Sequence, residues 1–152
     1  MGRQIHVEEE RTIPAPPARV HAALADYAGR ARILPGNYLD YRVETGGTGA
    51  GTVVSYRLRA ARRERRYELE VSEPTPGVTL VERDRNSSLV TTWILNPTAS
   101  GTATSLRLST IWEGRGGLAG MFERIFAPRG LHRIQGELLD RLTREVGAEP
   151  AG

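Results

Sequence analysis

The chain of 152 residues contains no cysteine. That excludes a disulfide framework, thiolate-held zinc or iron–sulfur clusters, and a cysteine nucleophile. Lysine is absent too, since all 21 basic residues are arginine, and this removes Schiff-base chemistry and the phosphate-binding loop ending in Gly-Lys-Ser/Thr. No apolar run approaches the roughly 20 residues needed to span a bilayer. The stretch from Met1 to Arg11 lacks the apolar region of a signal peptide, so a cytoplasmic protein is expected. No Gly-x-Ser-x-Gly elbow is present, which leaves serine-hydrolase chemistry without support. The three histidines, His6, His21 and His132, fall on separate elements, so neither a metal site nor a cofactor is expected.

Arginine forks suit phosphate, but 18 acids are interspersed among them and the net charge is only +3. At this length one domain is expected, burying roughly 70% of its unfolded surface. It should span residues 1–147, followed by a disordered tail at 148–152.

Hydrophobic periodicity divides the chain. Val7 to Ile13 alternates as a strand and is stopped by Pro14, Pro16 and Pro17. Ala18 to Asp26 carries Val20, Ala23 and Leu24 at helical spacing, and a second short helical piece is expected over 27–34, before Pro35-Gly36. From Tyr38 the period becomes two. Leu39, Tyr41 and Val43 share a face, and the Gly46–Gly51 run reads as a hairpin turn. Val54, Tyr56 and Leu58 precede an arginine-rich turn, and Tyr67, Leu69 and Val71 follow it. A turn at Arg62-Arg63 would set Leu58 opposite Tyr67 and Arg57 opposite Glu68. Further strands are expected at about 78–85, 88–96 and 102–113. A long helix should then run from Leu118 to Val146, striped by Leu131, Ile134, Leu138, Leu142 and Val146, with a kink or break at Pro128 and Gly130. Gly114 to Ala119 mimics a dinucleotide fingerprint, but no second parallel strand follows it, so it reads as a strand-to-helix turn.

Six consecutive strands with one wet face must cover something on the other, and only the final helix is long and apolar enough. The order and spacing of several short pieces carry a resemblance. They are Ile13-Pro14-Ala15-Pro16 with Val20 and Leu24-Ala25-Asp26; Gly49-Ala50-Gly51-Thr52 leading to Tyr56; Glu73 with Pro76-Gly77 and Leu80; Thr91 to Leu95; and Gly101-Thr102 before Leu106. The chain resembles the START, Bet v 1 and polyketide cyclase/dehydrase superfamily. That resemblance implies an α+β helix-grip fold: a curved antiparallel sheet of about seven strands around a long C-terminal helix, with two short helices after the first strand.

Such a fold leaves space between sheet and helix for a small hydrophobic ligand, lipid-like or polyketide-like. The alternation places Tyr56, Leu58, Tyr67 and Leu69 on the inward face, with Leu80, Trp93, Leu95, Leu108 and Trp112. Met121, Phe122 and Phe126 would cap the space from the start of the long helix. Glu82 is the sharpest candidate. Period two sets it and Asp84 on the face of Val78 and Leu80, unless Val81 is the inward residue and Glu82 a surface charge. The likeness to polyketide cyclases gives the alternative function of ring closure or dehydration. Glu82 would then move a proton from carbon, and Tyr56 or Tyr67 would hydrogen-bond the enolate. The basic stretch Arg57 to Arg66 offers a third reading, weak docking to an anionic membrane. Nucleic acid is disfavoured there because the wet face carries no aromatic for stacking. Nothing in the sequence specifies an oligomeric state.

Overall fold

Seven alternating stretches become strands in the computed structural model of the protein, which describes residues 3–60, 63–114 and 128–148. They are β1 (Arg3–Ile13), β2 (Tyr38–Thr45), β3 (Val53–Ala60), β4 (Arg63–Ser72), β5 (Thr79–Asp84), β6 (Val90–Thr98) and β7 (Ala103–Gly114). All pair antiparallel in the order β1-β7-β6-β5-β4-β3-β2. The consecutive strands β1 and β2 therefore lie at opposite edges. The chain crosses between them through helix α1 (Pro17–Ala25) and a 3-10 turn (Arg30–Arg32). The fold is α+β and helix-grip-like, as the resemblance implied.

Proline starts α1, and Val20, Leu24 and Ala25 bury its inner face. The helix stops at Asp26, whose Oδ1 accepts the Gly29 N–H at 3.0 Å. Neighbouring backbone groups are tied to the glycine-rich loop between β2 and β3: Ala28 N donates to Gly47 O at 3.1 Å, and Gly49 N donates to Ala25 O at 2.9 Å. The second helix expected over 27–34 is thus only the single 3-10 turn, because local and loop contacts use the groups a helix would need. Gly49 has φ +60, and a Cβ there would stand 2.5 Å from Glu73 Oε1. The expected hairpin turn is real, and it also ties down the end of α1.

Two register details differ from simple alternation. Tyr56 lies opposite Tyr67, Arg57 opposite Arg66 and Leu58 opposite Arg65, a shift of two residues from the expected β3–β4 pairing. An even shift keeps every side chain on its face. The expected register would have set Arg59 against Arg66; the observed one sets Arg59 against Glu64, with its Nε at 2.8 Å from Oε1. Arg63 thereby leaves the turn and opens β4. In β2 the register slips between Leu39 and Arg42, and Asp40 takes φ 53. This bulge brings Tyr38 and Tyr41 to one face, which strict alternation forbids.

Helix α2 (Pro128–Ala148) lies against β1 and α1 and buries Leu131, Ile134, Leu138, Leu142 and Val146, as its stripe predicts. Arg11 of β1 hydrogen-bonds Asp140 of α2. The described helix runs from Pro128 through Gly130 without interruption. The expected extension from Leu118, the glycine turn after Gly114 and the tail at 149–152 lie outside the described residues. Among the described residues, no helix is long and apolar enough to cross a membrane.

Candidate functional site

Pairing across the sheet sets the levels of the space beneath α2. Trp93 of β6 lies opposite Leu80 and Leu108, while Thr91, one step along, lies opposite Glu82 and Thr110. Leu95 and Leu106 form the next pair in the other direction and are fully buried with Val20 and Leu24 of α1. The sheet is therefore closed at that end. Above it is a cavity of about 60 Å³, partly open to solvent. Tyr56, Leu58, Tyr67, Leu69, Trp93, Leu108 and Trp112 line it, and Leu131, Gln135 and Leu138 of α2 complete the wall.

One side of the cavity is aromatic. The Tyr56 ring centroid is 4.9 Å from that of Tyr38, 5.7 Å from Tyr67 and 6.4 Å from Tyr41. Arg65 of β4, half-buried, also lines the cavity, with its guanidinium 5.4 Å from the Tyr67 ring.

The floor is ionic. Glu82 faces inward and is 4% exposed, so the alternative with Val81 inside does not hold. Its Oε2 accepts from the Tyr27 hydroxyl at 2.6 Å and lies 3.3 Å from Arg30 Nη2. That nitrogen also donates to Leu24 O at 2.5 Å. The guanidinium carbon sits 4.4 Å from the Tyr27 ring centroid and 5.4 Å from that of Trp93, so the group lies against both aromatics. Burial opposes charge on Arg30, but Glu82 and then Tyr27 outweigh it and raise its proton affinity. Tyr27 is pushed far above the ordinary tyrosine range, by burial first and the Glu82 charge second. Burial likewise raises Tyr38, Tyr41 and Tyr56. These hydroxyls stay neutral at physiological pH and can donate hydrogen bonds. Asp84 also turns inward, but it accepts the Glu68 N–H at 3.0 Å and the Ser87 hydroxyl at 2.6 Å, organising the β5–β6 turn.

Among the described residues, four buried polar atoms find no hydrogen-bond partner: Arg30 Nε, Trp93 Nε1, Trp112 Nε1 and Gln135 Oε1. A buried group left so costs about 1–3 kcal/mol. All four side chains line the cavity. The other amide atom of Gln135, Nε2, donates to Thr110 Oγ1 at 2.6 Å, and Thr110 in turn meets Thr91 at 2.9 Å.

A protein-family model described as polyketide cyclase / dehydrase and lipid transport matches residues 4–147. The chain belongs to this family. Among solved structures, this polyketide cyclase/dehydrase-family chain is similar to the KanY protein in solution, with 40% identity and TM-score 0.84 over 96% of this chain and 99% of that one. It is also similar to TTHA0849 from Thermus thermophilus, with 23% identity and TM-score 0.78 over 97% and 100% of the two chains. The Zhui aromatase/cyclase from Streptomyces sp. R1128 matches at 20% identity and TM-score 0.78 over 99% of each chain, a likeness of fold. No curated protein matches the sequence.

Within the family fold, Leu80 and Leu95 do not line the cavity, although they share the inward face. Leu95 packs in the core at the end that α1 seals, and Leu80 is fully buried in the same core cluster opposite Trp93. Met121, Phe122 and Phe126 lie outside the described residues. Sequence reasoning missed Tyr27, Arg30, Tyr38, Tyr41, Arg65 and Gln135. Gln135 had a signal, since it lies four residues from Leu131 and interrupts the apolar stripe. The histidines meet separate partners: His6 the Ser109 hydroxyl, His21 the carboxylate of Glu73, and His132 that of Glu9. Among the described residues no group of three metal-ligating side chains forms. On the wet face, Arg57 contacts Asp40 and Glu64, and Arg59 contacts Glu64, so part of the basic hairpin is already neutralised.

Proposed function

We propose that the protein binds a small hydrophobic ligand with at least one aromatic or polyketide-like ring in the cavity between the sheet and α2. The observation that carries this reading is the wall of neighbouring tyrosine rings, backed by Trp93 and Trp112. Flat ring faces complement a flat ligand, while neutral hydroxyls fix its orientation. Leucines alone would suit an acyl chain equally well; the tyrosine wall favours rings. Native mass spectrometry of the purified protein tests this. An apolar mass that leaves on denaturation is expected, and a protein that neither retains such a mass nor takes up added aromatic compounds contradicts it.

A second reading, ring closure or dehydration of a poly-β-keto substrate, draws on the carboxylate of Glu82 at the cavity and on the activity named for Zhui. Glu82 would accept a proton from carbon, and the hydroxyl of Tyr56 or Tyr67 would hydrogen-bond the oxygen as it becomes an enolate. Tyr27 and Arg30 hold the same carboxylate and would have to yield part of that contact. Replacing Glu82→Gln should then slow turnover by about 10²–10⁴. Unchanged turnover leaves binding as the function.

A further inference from the structure

The Glu82 carboxylate uses its two oxygens unequally. Oε2 takes both contacts at the floor, the Tyr27 hydroxyl at 2.6 Å and Arg30 Nη2 at 3.3 Å. The other oxygen, Oε1, makes no hydrogen bond among the described residues, yet it is not enclosed as Arg30 Nε and Trp93 Nε1 are. It therefore belongs to the 5% of the side chain that is still open. Glu82 turns inward and lines the cavity, so that surface is presented to it. The carboxylate also stands near the aromatic wall: after burial, its charge is the next cause of the raised proton affinity of Tyr38.

A carboxylate oxygen can only accept, so an open one calls for a donor. That donor should be neutral, because Arg30 already balances the charge of Glu82. An ammonium in the same corner would lie beside the guanidinium without a counter-charge of its own, and a second carboxylate would face Glu82 likewise. An aromatic hydroxyl meets both demands, and its ring suits the rings of Tyr38, Tyr56 and Tyr67. We infer that Glu82 Oε1 receives a neutral hydroxyl of the ligand, a phenol or an enol carried on its ring. This rests on the reading of the cavity as a ligand site and deepens it, since the end of the ligand that reaches the floor is a hydrogen-bond donor. Tyr27 and Arg30 act as positioning residues: by holding Oε2 they leave Oε1 to the cavity before the ligand arrives. Receiving a hydrogen bond there disturbs neither contact. A ligand that brings a methyl group instead strips water from Oε1 and returns nothing, so it is discriminated against.

Four naphthalenes test the inference on the full chain: 2-naphthol, 2-methylnaphthalene, 2-acetylnaphthalene and 2-naphthoate. Naphthol is expected to bind about tenfold more tightly than its methyl isostere, the lower end of what a hydrogen bond to a charged group contributes. It should also bind more tightly than the ketone and the carboxylate. The hydroxyl proton of bound naphthol should resonate downfield of the amides, as protons in short bonds to carboxylates do, a readout that needs no variant to fold. In Glu82→Gln the amide must turn its oxygen to Tyr27 and Arg30, both donors, and its NH2 to the cavity. Preference should then pass from naphthol to the ketone. Equal or tighter binding of the methyl compound by the unaltered protein would overturn the hydroxyl contact while sparing the cavity reading. Tighter binding of the ketone would mean that Glu82 donates there, and tighter binding of naphthoate that the floor takes an anion; either overturns the inference. So does a folded Glu82→Gln protein that still prefers naphthol. Failure of all four probes to bind would remove the ligand-site reading itself, and this inference with it.

Discussion

On the outer face of the sheet, arginines reach acids on neighbouring strands. Arg85 lies 3.6 Å from Glu68 and 3.2 Å from Glu70, and Arg107 lies 3.6 Å from both Glu8 and Glu10, with both arginines about half exposed. On the inner side, Arg30 meets a single carboxylate in a place water hardly reaches. The chemistry of the two pairings is the same, and their energetics are opposite. Outside, water screens each charge, and losing a partner merely returns an arginine to solvent. Inside, each partner makes the other tolerable, and the geometry is fixed by aromatic rings rather than by attraction alone. An all-arginine surface can thus be redundant while one arginine below it is not.

The strongest way to break this comparison is to remove the inner acid. Glu82→Ala leaves Arg30 buried and unpaired and should cost about 3–5 kcal/mol, read as a lower midpoint in urea unfolding. Loss of less than about 1 kcal/mol would mean that water enters the floor and that the two faces do not differ. Alkaline pH probes the same region through Tyr27. Its folded proton affinity is raised, so above the ordinary value of 10.0 the unfolded chain releases a proton that the folded chain keeps. Stability is fully present below that pH and declines beyond it, by about 1.4 kcal/mol per pH unit for one such group. With no lysine or cysteine, tyrosine is the side chain that titrates there, and ultraviolet absorbance of tyrosinate should rise together with unfolding rather than before it. The smallest effect is expected outside: Arg85→Ala should cost under about 1 kcal/mol, and less in high salt. A larger loss would show that the outer ladder acts as a network.

The parts of this architecture that depend on repeating patterns are readable from the residues. The strands, the meander and the stripe of α2 follow from period two and period 3.6, which local sequence encodes directly. Glu82 stands out because a charge at an inward position conflicts with its neighbours. What escapes has a different physical origin. Tyr38 and Tyr41 share a face through a bulge at Asp40, a backbone event without a periodic signature. Arg30 sits in a turn, and turns impose no alternation to reveal which way a side chain goes. Leu95 is drawn to the cavity by alternation, which gives the face but not the height along it. Height depends on where α1 lands, a tertiary matter. The β3–β4 register differs by two residues from the expected one, since faces cannot distinguish an even slip; the match of Arg59 with Glu64 does.

The sealed core of Leu95, Leu106 and α1 makes the space a blind alley. Among the described residues, a ligand of the proposed kind could neither enter nor leave through that end. The end of it that went in first would come out last.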